Sequence, residues 1–159
     1  MATEIERKFL LQSDDWKQDA ARQERYCQGY LVGSAQASVR VRIQGGEARL
    51  NIKSATLGVS RQEFEYAIPV ADAEELLRDL CQKPLIEKTR YFVPHEGMLW
   101  ESDQFEGDNE GLVVAEIELD SEQQTFSMPS WVGQEVSQDR RYYNVCLVTH
   151  PYKDWIEEA

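Results

Sequence analysis

The sequence predicts a mainly β (α+β) fold in which eight antiparallel strands close into a β-barrel with a charged lumen, flanked by a few helices. Three observations lead there. Apolar and polar residues alternate with a period of two in short stretches bounded by turn residues, as antiparallel strands require. Eight such stretches are present, over residues 3–11, 25–33, 37–44, 47–53, 60–70, 85–93, 98–105 and 111–119, and eight strands suffice to close a small barrel. The polar positions are filled by charged side chains, with little of the Ser, Thr, Asn and Gln that a sheet facing water would mix among them.

Each element follows from local chemistry. Gly45-Gly46 joins the third and fourth stretches, because paired glycines accept the positive φ that a two-residue hairpin turn demands. Asp72 and Glu75 read as a capping box ahead of Leu76, Leu77 and Leu80, which predicts a helix ending before Pro84. A shorter helix is expected over 13–23, with Ser13 as its cap and Trp16 facing the core, and another after Pro129.

Composition excludes several functions. The 159 residues carry a formal net charge of −12, which argues against general nucleic-acid binding. No apolar run approaches the ~18 residues of a membrane helix, and MATEIERK lacks the basic-then-apolar order of an export signal. A cytoplasmic protein with no nucleic-acid or membrane partner is therefore expected. Cys27, Cys81 and Cys146 are scattered and odd in number, so neither a disulfide framework nor a thiolate metal site is indicated. With only His95 and His150 available, any metal must sit on carboxylates, which favours hard ions such as Mg2+ or Mn2+.

The charges come in pairs two residues apart, and side chains two apart share one face of a strand. Glu4, Glu6 and Lys8 share a face of the first strand. Arg40 with Arg42, Glu63 with Glu65, Lys88 with Arg90, Glu101 with Asp103, and Glu116 with Glu118 do the same, and Lys53 adds another cation. For one strand alone, such a pair reads as a solvated outer face. Together, the pairs point to charged faces turned inward and apolar faces turned outward under helices. Desolvated ions of both signs need partners, and a divalent cation with a polyanion would satisfy both sets. Arginine forks match phosphate oxygens, so a phosphate chain is the indicated ligand.

The segment Glu4-Ile5-Glu6-Arg7-Lys8 is an ExExK motif. It is followed in order by QGYL around Tyr30, VRVR at Arg40 and Arg42, NIKS at Lys53, RQEFE at 61–65 and EKTRY at 87–91. WESDQF around Asp103, GLVVAEIEL at Glu116 and Glu118, and DRRYYN near Arg141 complete the series. This series resembles the CYTH superfamily, the triphosphate tunnel metalloenzymes. The resemblance implies one CYTH domain over 1–159, with 150–159 as a C-terminal tail, and a barrel open as a tunnel that binds triphosphates with Mg2+ or Mn2+.

The resemblance also implies roles. Glu4, Glu6, Glu116 and Glu118 match the metal ligands, with Asp103 as a contributor. Lys8, Arg40, Arg42, Lys53, Lys88 and Arg90 match the phosphate-binding residues, and Arg61 is placed on the phosphate side. Lys8 and Tyr30 resemble a pair that activates the attacking water, although Tyr30 also reads as a packing residue. Glu63, Glu65 and Arg141 are supporting, and Arg141 has a second reading as an ion-pair partner of Asp139. The implied reaction is hydrolysis of inorganic tripolyphosphate to pyrophosphate and phosphate by direct attack of water. Class IV adenylate cyclase, nucleoside or thiamine triphosphatase, and a non-catalytic polyphosphate-binding module are the alternatives. The sequence leaves monomer and homodimer open.

Overall fold

A computed structural model describes residues 3–55 and 58–155. The strands are β1 (Thr3–Leu11), β2 (Arg22–Gly33), β3 (Ala37–Gln44), β4 (Glu47–Ser54), β5 (Ser60–Ile68), β6 (Ile86–His95), β7 (Met98–Phe105), β8 (Val113–Glu118) and β9 (Val132–Glu135). The helices are α1 (Trp16–Asp19), α2 (Val70–Asp79) and α3 (Asn144–Thr149). Neighbouring strands run β5-β4-β3-β2-β6-β7-β8-β1, and β1 pairs antiparallel with β5 to close the eight-stranded barrel. Among the described residues no helix is long and apolar enough to cross a membrane.

The closure is short. Only Thr3, Glu4 and Ile5 of β1 pair with Gln62, Arg61 and Ser60 of β5. The opposite edge of β1 is taken by β8 over Glu6 to Leu10. Past Glu6, the edge that β5 has left is occupied by β9, which pairs at Phe9 and Leu11. This is why the segment after Pro129 is a strand where a helix was expected. An open β1 edge offers unpaired backbone groups, and satisfying them outweighs local helical preference. The helix of this region lies further on, at 144–149.

Two other helices differ from expectation for similar reasons. Arg22, Gln23 and Glu24 join β2 by pairing with Phe92, Tyr91 and Arg90 of β6, which leaves only the four-residue α1 of the helix expected over 13–23. Trp16 is fully buried as expected. Helix α2 begins two residues before Asp72, with Pro69 as its N-cap and no side-chain cap bond. Asp72 thus lies in the first turn, where its charge complements the helix dipole but does not form a capping box.

The apolar faces point outward, beneath helices and loops. Phe9, Trp100, Ala115, Ile117 and Trp131 form one cluster with Trp16, and Val41 and Ala48 are covered by Ala73 and Leu77 of α2. A third cluster closes one end of the barrel. Ile86, Phe105 and Val114 stand two residues from Lys88, Asp103 and Glu116, on the same inward faces, and they pack against Tyr30, Leu147 and Val148 of α3, and Trp155. Trp155 also meets Tyr142 and Tyr152 edge-on. The 150–155 segment is thereby docked, whereas Ile156 and the rest of the expected tail, 157–159, lie outside the described residues.

Gly29 sets the approach between β2 and the loop after α2. A Cβ there would stand 2.8 Å from Leu85 Cδ2 and 2.9 Å from Cys81 Cβ, closer than real side chains pack. Gly29→Ala is expected to destabilise the protein by about 1–3 kcal/mol, measured as a lowered urea midpoint at unchanged slope.

Candidate active site

The inward faces of the barrel are charged on nearly every strand. Glu4, Glu6, Lys8, Tyr30, Arg40, Arg42, Lys53, Arg61, Glu63, Glu65, Lys88, Arg90, Glu116 and Glu118 line one cavity of about 380 Å³. Strand register places them. Glu4 lies opposite Arg61, Glu6 opposite Glu118, Lys8 opposite Glu116, Tyr30 opposite Arg40, and Lys53 opposite Glu63. β1, β7 and β8 present an acidic wall of Glu4, Glu6, Glu101, Glu116 and Glu118. β3, β4 and β6 present a basic wall of Arg40, Arg42, Arg49, Lys53, Lys88 and Arg90.

Most of these ions neutralise one another. Lys53 Nζ lies 3.1 Å from Glu4 and 3.3 Å from Glu63, and Arg61 Nη2 lies 3.2 Å from Glu4 and 3.4 Å from Glu6. Lys8 Nζ and Arg90 Nη2 each lie 3.6 Å from Glu116. Burial pushes the Glu4 carboxyl up, but Lys53, a hydrogen bond with Glu63, and Arg61 bring it below its ordinary value. Burial raises Glu116 too, and there Lys8, Arg90 and Lys88 prevail, holding it well below the usual range. Glu6 behaves differently. Burial and the neighbouring Glu116 and Glu4 carboxylates push it up to about 8. Burial, with Glu4, Glu101 and Glu63, raises Glu118 as well.

The donor set suits a hard cation, because Glu4, Glu6 and Glu116 crowd like charges into one buried place and offer only oxygen. Among the described residues, no three carboxylate, imidazole or thiol groups form a ready-made metal cage, since lysine and arginine already engage these oxygens. On the basic wall the imbalance is reversed. Burial, then Arg40 and Arg90, bring Arg42 down to about 10. The Nε atoms of Arg40 and Arg42 are buried with no hydrogen-bond acceptor. Buried guanidinium donors left unpaired beside one another form a site for an anion.

Two of the expected residues are placed elsewhere. Asp103 is fully buried below the cavity lining, on the way to the plugged end. One of its oxygens lies 2.7 Å from Lys88 Nζ and 2.8 Å from Arg90 Nη2, and the other lies 2.6 Å from Arg90 Nε. Its oxygens are thus engaged by the two cations that it orients. Arg141 is outside the cavity, pairing with Asp139 at 2.8 Å and lying over the Trp155 ring. Several lining residues escaped the reading of the sequence, Arg49, Phe92, Tyr26, Ser137, Tyr143 and Asn144 among them. Tyr26 shares the inward face of β2 with Tyr30, a period-two signal that was available, and the Arg42, Lys88 and Arg90 side chains surround its ring at 4.9–5.8 Å. Ser137, Tyr143 and Asn144 follow the last strand, where no periodicity marks them. Asn144 Oδ1 accepts from Gln28 at 3.0 Å and from Lys88 at 3.2 Å.

Comparison with known proteins decides the family. The CYTH domain model matches residues 2–145. The chain belongs to the CYTH family. Two CYTH relatives are named inorganic triphosphatase. The one from Acetivibrio thermocellus is 48% identical over 157 residues, covering 99% of this chain and 100% of that protein. The one from Nitrosomonas europaea is 40% identical over 151 residues, covering 91% and 96%. The crystal structure of the inorganic triphosphatase NE1496 matches with a TM-score of 0.66 at 36% identity, over 91% of this chain and 97% of that one. The PH1012 protein from Pyrococcus horikoshii shares the CYTH fold at a TM-score of 0.60 and 20% identity, over 76% and 80%.

The Asp103 triad yields a stability prediction. Burial raises the Asp103 carboxyl, but Arg90 and Lys88 overcome this and hold it below its ordinary value. A depressed carboxyl stabilises the fold above its unfolded pKa of about 3.9, and that contribution disappears as pH falls through the folded value. Asp103→Asn is expected to cost roughly 3–5 kcal/mol at pH 7 by removing the buried charge that Lys88 and Arg90 share. Urea unfolding should also show a flatter loss of stability below about pH 4 than in the unsubstituted protein.

Proposed function

We propose that this chain hydrolyses inorganic tripolyphosphate to pyrophosphate and phosphate, with Mg2+ or Mn2+ as cofactor. One observation carries the reading: a cavity of triphosphate size has an arginine wall with unpaired buried donors facing a wall of crowded carboxylates. A single-sign lumen would bind an anion or a cation, whereas two walls of opposite sign accept a polyanion together with its counter-ion. The names of the two curated relatives support the same substrate.

Glu4, Glu6, Glu116 and Glu118 would hold the divalent ion. When bound, that ion neutralises phosphate charge and polarises phosphorus–oxygen bonds. Arg40 and Arg42 grip the phosphate chain through forked N–H donors, and Lys53, Arg61, Lys88 and Arg90 spread positive charge along it. Water attacks the terminal phosphorus, the anhydride bond to its neighbour breaks, and pyrophosphate leaves with the bonding electrons. Lys8 and Tyr30 position that water, and its proton passes to the departing pyrophosphate, which takes up the electrons of the broken bond. Burial is the main force raising the Tyr30 hydroxyl, with Arg40 and Lys8 opposing it, so Tyr30 works as a protonated hydrogen-bond donor. A covalent route through sulfur is disfavoured. None of the cysteines lines the cavity, and burial raises the Cys27 and Cys81 thiols, leaving less of the reactive thiolate.

Phosphate release from equal concentrations of tripolyphosphate, pyrophosphate, ATP and thiamine triphosphate tests the assignment. Tripolyphosphate is expected to turn over fastest with Mg2+ or Mn2+, and chelation should abolish turnover. Faster release from ATP or thiamine triphosphate would overturn the substrate assignment, and tight tripolyphosphate binding without turnover would replace the enzyme by a binding module. Two substitutions separate the roles. Arg40→Met should raise KM roughly tenfold or more, the worth of a charged hydrogen bond. Lys8→Met should lower kcat by about 100-fold or more, as misplacement of the attacking water does; full turnover by Lys8→Met would remove that role.

A further inference from the structure

Lys8 is held by one segment of chain that has no strand partner on the far side of the barrel. The Lys8 carbonyl accepts the Val136 N–H at 2.8 Å, its N–H donates to Ser137 Oγ at 2.9 Å, and its ammonium donates to the Tyr142 carbonyl at 3.0 Å. This strap, residues 136–143, crosses the seam where β1 has parted from β5. Its far end is secured by Tyr143. The Tyr143 hydroxyl accepts the Gly58 N–H at 3.0 Å and donates to the Ser137 carbonyl at 3.0 Å, joining the β4–β5 loop to the strap. The Tyr143 ring also lies 5.5 Å from Lys8 Nζ and 5.6 Å from the Arg61 guanidinium, near enough for its negative face to attract both cations.

We propose that Tyr143 is a positioning residue for turnover, latching the strap to Gly58 so that Lys8 is fixed in the lumen. The inference rests on the reaction proposed above for Lys8, but the latch is a separate structural claim. The seam makes it necessary. The β5 edge of β1 carries no strand pairing between Ile5 and Phe9, where β9 begins. At Lys8, β9 and the strap replace β5, and a misplacement of about 1 Å in a group that handles the reacting water costs on the order of 100-fold in rate. The Tyr143 hydroxyl bonds Gly58 and Ser137 while the ring stays beside Arg61, so removing the hydroxyl alone should change kcat and leave ground-state binding to the arginine wall intact.

Tyr143→Phe removes the latch and keeps the ring under Lys8 and Arg61, which makes it the informative variant. In the full-length protein with Mg2+ and tripolyphosphate, kcat should fall about tenfold or more while KM stays within about twofold. In the Lys8→Met background the same substitution should change kcat less than about twofold, because the two residues act as one unit. Hydrogen–deuterium exchange, which needs no activity, should show faster exchange across 136–143 and at the Lys8 amide in Tyr143→Phe. An unchanged exchange pattern, an unchanged kcat, a rise in KM alone, or losses that multiply in the double variant would each overturn the proposal. An inactive unsubstituted protein would instead refute the proposed reaction, and the exchange measurement would still judge the latch.

Discussion

A barrel lined with ions can fold only if each charge taken from water meets a counter-charge, and here the meeting is arranged between neighbouring strands. Asp103 on β7 faces Arg90 on β6 in register, and it reaches Lys88 one position deeper. Removing three charged groups from water is expensive, and their mutual attraction offsets that cost only when the hydrogen bonds are complete. At Asp103 both oxygens are used, which lets two cations stand fully or almost fully buried in the cavity wall. The basic wall is therefore anchored from below by an acid that the substrate need not touch. The apolar plug of Ile86, Phe105, Val114 and Leu147 seals this layer from solvent and keeps those ion pairs strong.

Nearer the cavity, pairing is complete for some groups and absent for others, and this difference separates scaffold from site. Lys53, Arg61, Glu4 and Glu63 satisfy one another, but through longer contacts than those of the Asp103 triad. Arg40 and Arg42 keep donors with no acceptor, and Glu6 remains crowded by carboxylates. Such a lumen tolerates being ligand-free because its surplus charges sit at the faces where opposite charge is to arrive. The acids that could receive a cation are at present held by the bases that could receive a phosphate chain. On the proposed reading, entry of a metal–polyphosphate complex would exchange partners: the bases would pass from carboxylate to phosphate, and the carboxylates would be freed to hold the metal.

The parts of this design that depend on strand periodicity were legible in the sequence. Glu4, Glu6, Lys8, Arg40, Arg42, Lys88, Arg90, Glu116 and Glu118 share inward faces because their spacing is two, and that spacing survives folding whatever the loops do. The barrel and the two-sign lumen follow from the same period. What failed was local helix reasoning at 13–23, at Asp72 and after Pro129, where backbone pairing or a proline boundary overrode propensity. Depth was not legible either. Asp103 has the same spacing relation to Glu101 as Glu116 has to Glu118, and only the β7–β8 register, which sets Asp103 opposite the plug residue Val114, decides that it lies under the wall while Glu118 is exposed at its rim. Tyr143 and Asn144 carry no periodic signal, since the chain brings them to the lumen by a return from the ninth strand.

That return also explains how the barrel is closed. β5 and β1 share only three residue pairs, too few to hold the first strand rigid along its length. β9 and the strap complete the edge, and α3 carries the chain into the end of the lumen, where Asn144 meets Lys88 and Gln28. One stretch of sequence therefore closes the seam, plugs the end and touches both Lys8 and Lys88. A phosphate chain entering such a lumen meets a floor instead of a second opening. On the proposed reading a floor would limit how far the chain can advance, so its terminal phosphorus would stop at a fixed depth relative to Lys8. On this geometry the length of the substrate and the position of the attacked bond are set by the same segment of chain, and a lumen open at both ends would fix neither.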